Sequence, residues 1–152
     1  MDEIQVVAFT LGDELLAIPI CNVKEIINAT KITSVLMPEC HVQGIMNLRG
    51  TIITVLNLAS KLGLISTNKI PSERKIVIVE NKDSIVGFEV DTLSEVLKIP
   101  TDKIEPPPLM TYQASFMTGI MKINGRLMLL LNVDTLVSEK RFVITPPQVS
   151  KI

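Results

Sequence analysis

The sequence predicts a mostly β fold: two similar five-stranded β-barrel subdomains packed around a shared hydrophobic core, with a few short helices. Three observations carry that prediction. The chain has 152 residues, 47% hydrophobic and 20% charged, with a formal net charge of −1, the profile of an ordinary globular chain. Its β-branched residues number 20 Ile, 15 Val and 12 Thr against 5 Ala, so strand formers far outnumber the best helix former. Finally, the order of apolar blocks in the first half returns in the second.

Along the chain, Ile4 to Leu11 reads as a strand, Gly12-Asp13 as a turn, and Glu14 to Ile20 as the returning strand, with Pro19 placing its end at an edge. Asn22 has the character of a helix cap. Behind it Val23, Ile26 and Ile27 recur at helical spacing, which predicts one to two helical turns before Thr30-Lys31. Ile32 to Leu36 is a short strand, and Pro38 to Gln43 a loop or helical turn. Gly44 to Leu48 and Thr51 to Leu58 read as strands around Arg49-Gly50. A short helix follows from Ala59 to Leu62, ended by Gly63. The polar stretch Ser66 to Arg74, containing Pro71, is the linker.

Beyond the linker the elements begin again. Ala17 to Ile26 lies over Gly87 to Val96 at a constant offset of 70 residues, with most apolar positions and the glutamates Glu25 and Glu95 in agreement. Gly44 to Gly50 lies over Gly119 to Gly125 at an offset of 75, and Asn57-Leu58 over Asn132-Val133 at the same offset. The five-residue difference falls in Glu105 to Ser115, where Pro106-Pro107-Pro108 must be extended, as a surface loop or a docking motif for a proline-binding module. Halves of roughly 60 residues are small to stand alone and would pack their apolar faces together. The expected subdomains are residues 4–65 and 75–137, with a C-terminal tail over 138–152, and terminal strands could cross between the halves.

Composition excludes several function classes. A net charge near zero, no Trp and one Tyr supply neither phosphate-neutralising charge nor base-stacking surface, so nucleic acid is not an expected partner. The longest apolar run, Leu127 to Leu131, is far short of the roughly 20 residues a spanning helix needs, and Met1-Asp2-Glu3 does not begin a signal segment. A soluble cytoplasmic chain without membrane insertion is expected. Cys21 and Cys40 form no C-x-x-C spacing, and with His41 as the sole histidine they do not make a zinc set. No cofactor or metal is expected, and the catalytic inventory is thin. No Ser or Cys motif predicts a triad, and Asp13, Glu14, Glu25, Asp91 and Glu95 stand where carboxylates are commonly solvated or capping.

The repeat singles out Arg49, because its counterpart is Asn124 while the neighbouring apolar residues agree. A guanidinium between apolar strands should be partly desolvated and need a carboxylate or backbone carbonyls, and Glu25 is a plausible partner. A structural ion pair and a partner-binding residue are both open readings. Gly44 and Gly119 start equivalent strands, where backbone passes too close for a side chain. Should the barrels meet beside them, a shallow apolar groove lined by Val23, Leu93 and Val96 would follow; ordinary core is the other reading. A positive mean hydropathy of +0.39 suits some exposed apolar surface and a protein partner.

Five blocks then make the chain recognisable: Phe9 to Glu14 (FTLGDE), Val23 to Ile26 (VKEI), Val42 to Gly50 (VQGIMNLRG), Val86 to Asp91 (VGFEVD) and Phe116 to Ile120 (FMTGI). In this order and spacing they resemble the CheW family of bacterial chemotaxis coupling proteins, over about Val6 to Val137. The resemblance implies a single CheW-like domain acting as a non-enzymatic adaptor. Such a protein links the histidine kinase CheA, through its regulatory domain, to the cytoplasmic tips of methyl-accepting chemoreceptors in arrays at the inner membrane. It also implies a receptor-binding groove at Val23, Glu25, Gly44, Arg49, Leu93, Val96 and Gly119, and places no kinase-binding residue individually. From another class, a small-molecule-binding barrel or a carboxylate-only enzyme is the alternative.

Overall fold

The computed structural model describes residues 2–28, 32–37, 41–64, 74–81, 84–107 and 112–137. Most of the expected linker, and the tail 138–152, lie outside the described residues. In the first half, β1 (Glu3–Leu11) and β2 (Glu14–Pro19) form a hairpin, a 3-10 turn at Ile20–Asn22 leads to β3 (Val23–Asn28), and β4 (Thr33–Met37), β5 (Val42–Leu48), β6 (Thr51–Leu56) and helix α1 (Leu58–Leu62) follow. In the second half the order is β7 (Lys75–Asn81), β8 (Ser84–Val90), β9 (Thr92–Pro100), β10 (Met117–Ile123), β11 (Arg126–Leu131) and α2 (Val133–Val137), with 3-10 turns at Thr101–Lys103 and Tyr112–Phe116.

Two sheets result, ordered β10-β11-β2-β1-β9 and β3-β7-β8-β6-β5-β4. Each combines strands of both repeat units. The expected division at the linker therefore separates the repeats, while the hairpin β1-β2 crosses to the strands of the second half and β7-β8 to those of the first. Apart from β4, which extends one sheet only, the two arrangements match in strand order and register. The parallel pairs Thr54 with Val86 and Val55 with Gly87 correspond to Leu129 with Leu16 and Leu130 with Ala17. Both sheets also curl back on themselves. The edge strands β3 and β4 are joined by a short connection, and beyond β9 the chain at Glu105 bridges to Ile120 of β10.

The helix expected after Asn22 is instead strand β3. Its burial alternates with period two, and it pairs antiparallel with β7, Ile26 opposite Val77. Two adjacent β-branched residues, Ile26 and Ile27, suit that pairing better than a short isolated helix. The repeat already carried the correction, since Val23 to Ile26 overlies a segment of β9. Elsewhere the boundaries moved little: β2 ends at Pro19 rather than Ile20, β5 begins at Val42, and α1 starts one residue before Ala59.

Three apolar clusters hold the architecture together. One fills the five-stranded barrel with Val6, Ala8, Leu15, Ala17, Ile99, Met128 and Leu130, and a second fills the other with Met46, Ile53, Val55, Ile76 and Ile78. The largest lies between the barrels, where Phe9, Leu11, Leu16 and Ile18 meet Val77, Val79, Val86, Phe88 and Val90 under α1 and α2. This is the expected shared core. β1, β2, β7 and β8 serve both a barrel interior and this core, so they are buried on both faces and read as nearly unbroken apolar runs.

Matching asparagines explain another part of the repeat. Asn57 Oδ1 accepts the Ser60 N–H at 3.0 Å at the start of α1, and Asn132 Oδ1 accepts the Thr135 N–H at 3.4 Å in α2. Gly63, at φ 71°, closes α1 as expected.

Near one crossover lies a buried charge cluster. Arg74 contacts Glu89 at 3.1 Å and Asp91 at 3.5 Å, while Asp91 Oδ2 accepts the Gly12 N–H at 2.7 Å and so ties the β8-β9 junction to the β1-β2 turn. Burial pushes the Glu89 carboxyl above its usual range, against the pull of Arg74 and with a push from Asp91. A raised folded-state value means a contribution present below the ordinary carboxylate pKa and lost as pH rises through the raised one. Glu89→Gln is accordingly expected to show a smaller loss of urea midpoint than the parent as pH rises from the ordinary carboxylate pKa through the raised one. An unchanged pH slope would contradict this origin.

Candidate functional site

Two tight hairpin turns mark the ends of the barrels opposite one another in the repeat. At β5-β6, Arg49 and Gly50 have φ of 51° and 89°; at β10-β11, Asn124 and Gly125 have 50° and 80°. Positive φ at both central residues is the type I′ requirement, which favours Asn-Gly. The second turn has that pair, whereas the first places an arginine in a conformation L-residues adopt with cost, eased by a hydrogen bond from Gly50 N–H to Asn47 Oδ1 at 2.8 Å.

The guanidinium reaches across to β3 and binds Glu25 with both arms, Nη1 to Oε2 at 2.5 Å and Nη2 to Oε1 at 2.9 Å. Its predicted desolvation is not found: the Arg49 side chain is 72% exposed, because the turn projects beyond the barrel end, while Glu25 is 23% exposed. Hydrogen bonding from Arg49 holds the Glu25 carboxyl below its usual range, against partial desolvation and aided by the charges of Arg49 and Lys24; the same bond raises Arg49. A depressed folded-state value makes the pair's contribution present above the ordinary carboxylate pKa and lost as pH falls through the depressed one. In a double-mutant cycle of Arg49→Ala and Glu25→Ala, measurable coupling at neutral pH should vanish on acidification through that value. Zero coupling at neutral pH would reject the pairing in solution.

Gly44 and Gly119 are confirmed as close-approach positions. A Cβ on Gly44 would overlap the Thr33 carbonyl oxygen and lie 2.6 Å from Ile32 Cγ2; one on Gly119 would lie 2.5 Å from Ile104 Cγ2 and 2.8 Å from the Glu105 oxygen. The close neighbour is in each case the strand or segment that closes the glycine's own barrel, so the glycines mark closure seams. The packing reading of these glycines therefore holds, and their close approach is within each barrel rather than between the two.

The seven candidate residues thus fall into two corresponding sets. Val23, Glu25, Gly44 and Arg49 belong to β3, β5 and the turn after it, with Glu25 and Arg49 in contact. Leu93 and Val96 on β9 and Gly119 on β10 hold the matching places in the other sheet. Val23 opposes Val79 as Leu93 opposes Phe9, and Ile26 opposes Val77 as Val96 opposes Val7. Val23 is half-buried against the shared core, and Val96 is 52% exposed.

Sequence reasoning missed Ile26, Ile52 and Leu127, which are exposed apolar residues at matching positions: Ile26 corresponds to Val96, and Ile52 to Leu127. Period-two alternation in β3 was the available signal. Also missed was Lys61, buried in α1 with its ammonium 5.0 Å from the Phe116 ring centroid.

Residues 5–141 match the model of the CheW-like domain. The chain belongs to the CheW-like family. It is 34% identical over 137 residues to the chemotaxis protein CheW of Helicobacter pylori, covering 90% of this chain and 82% of that one. With the CheW of Thermotoga maritima the identity is 31%, covering 91% of each. The crystal structure of the scaffolding protein TtCheW from Thermoanaerobacter tengcongensis superposes with a TM-score of 0.83 at 32% identity, covering 92% of this chain and 91% of that one. Membership makes the chain a chemotaxis scaffold protein, not an enzyme. Among the described residues no helix is long and apolar enough to cross a membrane, and no group of His, Cys, Asp and Glu could hold a metal ion.

Proposed function

We propose that this protein is the adaptor that couples the cytoplasmic tips of chemoreceptors to the regulatory domain of the histidine kinase CheA, working in the cytoplasm within receptor arrays. The observation that carries the reading is an asymmetry of the repeat at its two equivalent hairpin turns. Two units that share register at their parallel crossovers, asparagine caps and glycine seams diverge at this turn, where a strained arginine stands in place of the favoured asparagine and presents its side chain to solvent. Strain kept at an exposed cation fits a recognition residue. A helical receptor hairpin would lay apolar residues along β3 and β9, at the positions of Val23, Leu93 and Val96, with Gly44 and Gly119 fixing the strands' close approach and Glu25 orienting Arg49. Kinase would be held on a separate face. Both barrel interiors are occupied by the protein's own side chains, which favours surface binding over an enclosed small molecule.

A pull-down with the CheA regulatory domain and a receptor-tip fragment, separately and together, tests this function. Binding to each, and a ternary complex when both are present, is the expected result. A folded sample that binds neither native partner would overturn the reading.

A further inference from the structure

At the end of the first barrel, beside the Arg49-Gly50 turn, a shallow pit of about 230 Å³ is lined by Leu48, Ile53, Ile85, Thr51, Lys24 and Arg49. Leu48, Ile53 and Ile85 belong to the apolar cluster inside that barrel, so the pit is a window onto its interior. Its rim is cationic. The Glu25 carboxylate balances Arg49, and the exposed Lys24 leaves one positive charge in excess.

The repeat supplies an internal control. The repeat counterparts of these residues are Leu15, Ser94, Ile123, Asn124, Arg126 and Met128. The apolar character persists there, with Leu15 and Met128 buried, but both rim cations are replaced by neutral residues, and Arg126 donates to the Asp13 carbonyl at 3.2 Å. Barrel closure therefore does not require Lys24 or Arg49. Apolar lining with one surplus rim cation is complementary to an apolar side chain that has a carboxylate beside it.

Resting on the adaptor reading, we propose that this pit is a specificity subsite for the receptor tip, taking one apolar side chain of the helical hairpin while a neighbouring carboxylate settles between Lys24 and Arg49. The test is calorimetric titration of the full chain with a receptor-tip fragment, comparing the parent with Lys24→Glu and Thr51→Trp. Lys24 and Thr51 are exposed, so neither change endangers folding. Charge reversal should weaken binding by about fivefold or more, most at low salt, and the indole laid over the pit should weaken it by about tenfold at any salt. Charge reversal of an acidic residue on the tip should restore affinity for Lys24→Glu. If the parent binds while both variants bind within about twofold of it, the subsite is overturned and the adaptor reading stands. Variants that weaken only kinase binding would overturn the subsite in the same way. A parent that does not bind the tip overturns both.

Discussion

Replacing Phe88 by alanine is expected to remove about 3–5 kcal/mol of folding stability, more than any other substitution proposed for this chain. Phe88 is fully buried in β8, paired with Val77 on one side and Leu56 on the other, and its ring lies in the cluster between the barrels. Its counterpart in the repeat, Ile18, belongs to the same cluster, so the two sheets meet through matching positions. Truncation would open a cavity lined by strands that are already packed on both faces and cannot readily collapse into it. With no Trp and one Tyr in the chain, far-UV circular dichroism in urea is the suitable probe. A lower midpoint at an unchanged denaturant slope is expected. A loss below about 1 kcal/mol would mean that the barrels do not share a packed core.

Gly44→Ala should be nearly as costly, about 3 kcal/mol, although it adds only one methyl group. The added carbon would overlap the backbone of Thr33, and β4 cannot retreat without losing its pairing of Ser34 with Gly44 and Thr33 with Ile45. Gly119→Ala should act similarly at the other seam, where Ile104 Cγ2 and the Glu105 oxygen crowd the same position. Because the two glycines share no neighbours, the losses should add in the double variant. The discriminating result is tolerance: a Gly44→Ala protein with parental stability would show that the seam is not closed in solution.

Much of the fold was legible in the sequence because the repeat doubled every signal. Strand content, the turns at Gly12 and Arg49-Gly50, the Gly63 stop and the shared core all followed from residue type and spacing. The one element read wrongly, the helix after Asn22, failed because Val23, Ile26 and Ile27 satisfy a helical period as well as a strand's, and only a partner strand decides between them. That partner, β7, begins 47 residues further on than the Asn28 it faces. At the candidate site, the Glu25–Arg49 pair was legible because an arginine stands where the repeat has Asn124, and the close approach at both glycines because one residue type recurs at equivalent positions. Exposure of Arg49 was not, because flanking apolar residues do not reveal how far a turn projects. Exchange of hairpins between the repeat units was anticipated only as one option, for neither composition nor periodicity says which half a strand will join.

Arg49→Asn separates the proposed role of Arg49 in recognition from a role in folding. The substitution gives the first hairpin the Asn-Gly pair that the second already uses, so the fold should tolerate it, with a thermal midpoint within about 3 °C of the parent. Affinity for the receptor tip, measured on the same preparations, should nevertheless fall by about tenfold or more. Parental affinity at parental stability would rule that recognition role out, and so would a midpoint that falls in step with the affinity, because the arginine would then serve the fold alone.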